Sequence, residues 1–357
     1  MDMDELRPFI NNFSFDRCKR GNQGFNRCLI QLFGLAGHGK SSFINTCIYV
    51  WQDGEYQNWA KADETHGGHH GGHTLERIPH KITSNIMLVD NRGLPKMDGY
   101  GSGEIFAQLG NLLPLGRNVE FTKGFGLVDR IVRSEKLVKD SDFIAPVFVH
   151  SVKHVIPPEE MNELKSVLHT ARELTGIYPI VVLTHKNYGN LTTVESSFRD
   201  MGIERIFAFE NYTREDNFKT RGRHEEVLKF LQEVIKDTQF RVEHQTRNPV
   251  KEMHDRKQFV INYVHQREKK MEQENQDRKK ALERAMREKE LKRQEEELER
   301  ERQRRREAEE AELRKRREEL ERQRSFEQAR NNEEIQAQQQ AKNKGNKKFL
   351  GLFNKKK

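Results

Sequence analysis

The chain predicts an α/β fold, with a mostly parallel sheet, helices on both faces and a long charged α-helix following it. Three observations predict this. Apolar strand-like runs alternate with helix-like runs as far as about residue 245. A glycine-rich loop, Gly34-Leu35-Ala36-Gly37-His38-Gly39-Lys40-Ser41, separates the first strand-like run from the first helix-like run. After Pro249 there is no further proline, and no glycine until Gly345.

The elements follow in order. Residues 28–33 are an apolar run that reads as a buried strand, and 42–50 read as the start of a helix. The loop between them matches G-x-x-x-x-G-K-[ST] at every fixed position. Glycines let successive backbone N–H groups curl around a phosphate, and the following helix points the positive end of its dipole there. Lys40 would reach the outer phosphates and Ser41 would hold a magnesium ion, with Gly34, Gly37, His38, Gly39 and Ser42 completing the cradle. This motif makes residues 27–245 a P-loop NTPase G domain in expectation. Further strands are expected at 78–83, 85–90, 143–150, 179–184 and 205–209. Further helices are expected at 104–109, 158–174, 192–201 and 224–237. The ligand of such a sheet sits at the carboxyl ends of its strands. Residues 1–26, with Phe13, Phe15, Arg17, Lys19 and Arg20, read as an N-terminal arm, with a cap on the domain as the alternative.

Residues 250–342 are built largely from Glu, Lys, Arg, Gln and Ala and read as helix. Fully helical, this stretch spans about 140 Å. Leu291 and Leu298 are seven apart, as are Leu313 and Leu320, but the gap between the pairs is fifteen. No heptad seam survives three repeats. Acid–base pairs four apart are frequent: Glu283–Arg287, Glu288–Lys292, Glu296–Arg300, Glu301–Arg305, Glu310–Arg314 and Glu318–Arg322. The segment therefore reads as a single charged helix, with a weak coiled coil as the alternative. Residues 343–357 form a basic tail in which Phe349, Leu350, Leu352 and Phe353 sit between lysine clusters. Such a tail suits an anionic membrane or a protein contact, or is a solvated terminus.

Apolar and charged residues each make up 34% of the chain, against about 45–50% and about 25% in globular domains. One ordinary domain plus one charged segment accounts for the mixture. The net charge is +8, and the lysines of 342–357 supply seven of those charges. The remainder is close to neutral, so no specific nucleic-acid binding is expected. Three cysteines make no disulfide framework, which favours a reducing, cytoplasmic setting with the tail as a peripheral membrane contact. The acidic first residues resemble neither a signal nor a transit peptide.

Other positions address the base and the chemistry. Asp90-Asn91-Arg92-Gly93 ends a strand with the D-x-x-G form, in which Asp acts on magnesium and the Gly amide meets the γ-phosphate. Thr184-His185-Lys186-Asn187 ends another strand where guanine-binding proteins carry [NT]-K-x-D. Thr184 fits, His185 replaces the Lys that lies along the base, and Asn187 stands where Asp is expected. GKSSFINT, MLVDNRGL, the quartet after VVLT and the later FAFENYTRED together resemble the interferon-induced protein 44-like family of GTPases, over about residues 25–240. Septins, immune-associated GTPases and dynamins are similar at a greater distance. The resemblance implies GTP or GDP with Mg²⁺, held by Lys40 and Ser41, with Asp90 and Gly93 sensing the γ-phosphate. It puts Thr184, His185, Asn187 and Asn211 near the base, and it suggests an immune setting.

Asn187 offers guanine one acceptor and one donor against two donors, a mismatch of about 1–3 kcal/mol. Weaker guanine selectivity is expected than with Asp; the alternative is that Asn187 faces solvent. Leu94 follows Gly93 and cannot orient an attacking water, so hydrolysis is expected to be slow unless a switch residue or a second subunit contributes. A homodimer through the G domain is one such source. The first switch should lie between Trp51 and Pro79, where His66, His69, His70 and His73 alternate with glycines. They read as a mobile loop, a phosphate-side proton acceptor (His70 or His73) or a metal site. Thr74 is the expected switch threonine on magnesium, beside Ser41 and Asp90, with Thr65 second.

Overall fold

The computed structural model describes residues 3–61, 74–94, 99–122 and 125–350, without the side chains of 99–100 and 342–350. Its first compact unit runs to Glu272 and its second begins at Gln273.

The first unit holds a six-stranded sheet in the order β2-β3-β1-β4-β5-β6. The strands are β1 (Arg27–Phe33), β2 (Ile78–Lys81), β3 (Ile86–Asp90), β4 (Asp142–Ser151), β5 (Ile180–Thr184) and β6 (Ile206–Phe209). All adjacent pairs are parallel except β2 with β3. All six strands lie where the apolar runs predict them. Alternate side chains enter opposite layers, as the strand period of two requires. Cys28, Ile30 and Leu32 of β1 join Val147 and Val182 on one face, whereas Phe148, Val181 and Leu183 join the other.

The first face is covered by α1 (Met3–Asn11), α2 (Lys40–Gln52) and α7 (Arg221–His244). The second is covered by α3 (Gly99–Leu109), α4 (Phe125–Ser134), α5 (Pro158–Thr175), α6 (Leu191–Asp200) and the first turns of α8 (Pro249–Leu350). Three differences from the sequence expectation concern these helices. The N-terminal segment is part of the core: Leu6, Ile10, Phe13 and Phe15 are buried in it, and Arg7 donates to the carbonyls of Val50 and Trp51 at the end of α2. Helix α4 is additional; its Leu127 and Ile131, one turn apart, are buried. The first unit also extends beyond the expected boundary near 245–249, because Arg256, Val260 and Val264 of α8 are buried in it.

In the second unit α8 stays helical through Gly345, where a tail was expected from 343. One glycine costs a helix only about 1 kcal/mol. From Gln273 to Ala341 its residues are exposed. Ion pairs form at Lys292–Glu288, Arg300–Glu296 and Arg314–Glu318; the last replaces the expected Glu310–Arg314 and Glu318–Arg322. No described helix is long and apolar enough to cross a membrane.

Candidate functional site

The chain order reverses across β1: β3 lies on one side and β4 on the other. That switch point opens a crevice at the carboxyl ends of the strands. The turn from β1 into α2 fills it with residues 34–39. Gly34 has φ 141°, and a Cβ there would run into the carbonyl of Val149, so only glycine fits. Gly37 and Gly39 also have positive φ, 78° and 83°. Gly39 is the N-cap of α2 and brings no capping side chain. The N-cap thus offers the first N–H groups of α2 no side-chain acceptor. Ser42 is half-buried in that first turn, and its carbonyl accepts a hydrogen bond from Thr46.

Lys40 is buried, and its Nζ donates to the carbonyls of Leu35 (2.9 Å) and Gly34 (3.5 Å). Burial pushes its pKa down to about 8, against the pull of Asp90. Gly93 lies against it: an added Cβ would stand 2.5 Å from Lys40 Nζ and 3.0 Å from the backbone of Ala36. The next residue is bound to the loop through its backbone. Ala36 N–H donates to the Leu94 carbonyl (2.7 Å), and Leu94 N–H donates to the Gly34 carbonyl (3.3 Å). The Leu94 side chain is fully buried.

The three residues expected at magnesium are brought together. Ser41 Oγ donates to Asp90 Oδ2 at 2.7 Å, Thr74 Oγ1 donates to the same oxygen at 3.3 Å, and the two hydroxyls are 3.2 Å apart. Asp90 is 1% exposed, and its Oδ1 is buried without a hydrogen-bond partner. Burial raises its pKa, opposed by Ser41, Lys40 and Thr74. Two hydroxyls and a buried carboxylate with one free oxygen form the hard oxygen donor set that suits Mg²⁺. His70, His73 and Thr65 lie outside the described residues, as do His66 and His69. Among the described residues no group of three or more His, Cys, Asp or Glu side chains is placed to hold a metal.

Thr184 braces the loop from behind. Its buried hydroxyl donates to the His38 carbonyl at 2.9 Å and stands close under Gly39. The His38 ring is buried against β4, where Ser151 N–H donates to its Nδ1 (3.2 Å). It stacks on His154 and meets His150 edge-on, both at 4.8 Å between centroids. His185 has φ 58°, and its Nδ1 meets Ser151 Oγ (3.0 Å) and Thr184 Oγ1 (3.1 Å). Burial pushes His38 well below the ordinary imidazole value, and His150 and His185 down to about 4. The rings of His38, His150 and His185 thus stay neutral at physiological pH.

Asn187 is exposed, and its backbone N–H donates to Glu210 Oε2 at 3.1 Å. Lys186 is held by Glu226 at 2.7 Å. Asn211 is 6% exposed, and both its amide atoms are buried without a partner. Its neighbour Tyr212 is tied to α2 through Thr46 (2.9 Å). An orphaned buried amide between α2 and the Asn187 turn can take a hydrogen-bonding ligand edge.

Two contributors escape the sequence reading. Glu210, next to Asn211, supplies a carboxylate beside the turn where Asn187 lacks one. Arg77 is fully buried and donates to Asn91 (2.9 Å), Gln31 (3.1 Å), Asn111 (3.4 Å) and the carbonyls of Gln108 (2.9 Å) and Leu113. It fixes Asn91, and with it the segment that leaves Asp90. Nothing in the spacing of the sequence marks a lone arginine as a buried hub. No protein-family model matches the chain, and no curated protein matches it.

Proposed function

We propose that the chain is a guanine-nucleotide-binding P-loop switch with slow GTP hydrolysis, of the kind found in the interferon-induced protein 44-like GTPases. The observation that carries this reading is the cluster of Ser41, Thr74 and the half-satisfied Asp90 at the head of α2, beside buried Lys40. Lys40 and the first N–H groups of α2 would neutralise the outer phosphates. Ser41, Asp90 and Thr74 would hold Mg²⁺, which when bound offsets phosphate charge. Gly93, having no side chain, leaves Lys40 Nζ the space it takes beside the loop, from which it would reach an outer phosphate. Leu94, buried and bound to the loop, presents no group to activate water, which supports slow turnover.

For the base, the Glu210 carboxylate, which accepts from the Asn187 backbone N–H, would accept from guanine N1–H and the exocyclic amine in place of Asn187. Asn211, with one donor and one acceptor, suits the edge of adenine as well, so an ATP-dependent reading rests on the same orphaned amide. Denaturing the purified protein and separating the released nucleotide tests both. GTP or GDP supports the switch, and ATP or ADP supports the second reading. No released nucleotide and no binding of a fluorescent GTP analogue overturn both, leaving an adaptor that works through α8.

A further inference from the structure

Four leucines between residues 284 and 327 of the second unit, Leu291, Leu298, Leu313 and Leu320, are 59%, 50%, 55% and 48% exposed. Their spacing breaks a heptad frame but keeps the period of a straight helix. At about 100° per residue all four fall within about 60° of the helix circumference. The same stripe carries Arg284, Glu295, Arg302, Glu309, Arg316 and Glu327. None of these six charges makes an ion pair among the described residues, whereas the pairs that form, Lys292–Glu288, Arg300–Glu296 and Arg314–Glu318, lie off it.

Reversed about a point between Arg305 and Arg306, the stripe meets its own complement. Leu291 falls opposite Leu320 and Leu298 opposite Leu313. Arg284 falls opposite Glu327, Glu295 opposite Arg316, and Arg302 opposite Glu309. Parallel and in register, each of these charges would instead face its own copy. We propose that residues 284–327 pair antiparallel with the same segment of a second copy of this chain, on a two-fold axis between Arg305 and Arg306. A straight stripe meets a straight stripe without strong supercoiling. Arg305 and Arg306 flank the stripe and approach their own copies at the axis. Their long stems let the guanidinium groups turn to water, and this repulsion keeps the pairing weak and concentration-dependent.

Cysteine cross-linking of the full chain tests the register. Cys18, Cys28 and Cys47 are buried free thiols, so the unsubstituted chain is the blank. Chains carrying Leu298→Cys are mixed with chains carrying Leu313→Cys and oxidised. The mixture should give at least about tenfold more cross-linked dimer than either variant alone, because only opposed positions come within disulfide reach. A mixture of Leu298→Cys with Leu320→Cys should stay at the blank. Cross-linking of Leu298→Cys with itself at the level of the mixture indicates parallel pairing and overturns the proposal. A mixture no higher than the blank overturns it as well. In sedimentation equilibrium, Arg302→Glu should weaken dimerisation about tenfold, the effect of about 1.4 kcal/mol, and adding Glu309→Arg should restore it. A double variant no better than the single one overturns the charge register.

Discussion

At the end of β1 the polar groups mostly satisfy one another: Ser41 and Thr74 share Asp90 Oδ2, Lys40 is held by two loop carbonyls, and Asp90 Oδ1 alone of these stays unpartnered. Beyond β6, Asn211 holds both amide atoms buried and unpartnered. A ligand at the Lys40 end, where the proposal puts phosphate, would exchange existing hydrogen bonds for its own, so most of its net gain would come from charge. A ligand at the Asn211 end, where the proposal puts the base, would remove a standing desolvation penalty, about 1–3 kcal/mol for a buried unsatisfied group. The Lys40 end, proposed for phosphate, is thus largely satisfied by the protein itself, and the Asn211 end, proposed for the base, is held in deficit.

The largest effect should come from breaking the charged end. Lys40→Ala should weaken binding of a fluorescent GTP analogue at least a hundredfold, about 3 kcal/mol, with little loss of fold stability. Unchanged binding would remove the phosphate end from the site.

Next is the histidine layer between the two ends. The folded pKa of His150 is about 4 against an ordinary 6.5, so the unfolded chain binds more protons between those values. Its stabilising effect is complete above about pH 6.5 and is lost as pH falls towards 4, by at most about 3 kcal/mol. His38 and His185 act with the same sign. Thermal melts from pH 7 to 4 should therefore fall steadily. His150→Gln should make the decline shallower without abolishing it; an unchanged slope would show that His150 is not held neutral by burial.

Third, Asn211→Leu should raise unfolding free energy by about 1 kcal/mol while weakening nucleotide binding. A base end already satisfied would lose both. Smallest, Asn187→Asp should tighten GTP about fivefold, and adding Glu210→Gln should return most of that gain. Equal GTP affinity for the Asn187→Asp variant and the unsubstituted chain would show that residue 187 faces away from the base.

The six strands and the glycine-rich loop were legible because each is written in adjacent residues: an apolar run, or fixed glycines before Lys40. The grouping of Ser41, Thr74 and Asp90 could also be read, since each residue closes or follows a recognisable element. Helix α1 was not legible, because its two core residues, Leu6 and Ile10, are too few to show a period in a segment this short. Arg77 and the orphaned state of Asn211 were hidden for a different reason. Burial of a lone polar side chain depends on distant segments, for Arg77 those of Gln31, of Asn91 and of Gln108 to Leu113, and no local pattern records that.

The backbone bridge between Leu35 and Leu94, made by the Ala36 and Leu94 amides, ties the loop to the segment after Asp90 in both directions. These two amides belong to different elements, yet neither can exchange its hydrogen with solvent while the bridge is closed. Their exchange rates should therefore move as one. A single isotope-exchange measurement on either amide then reports the parting of the loop from the segment after Asp90, with no ligand needed for the readout.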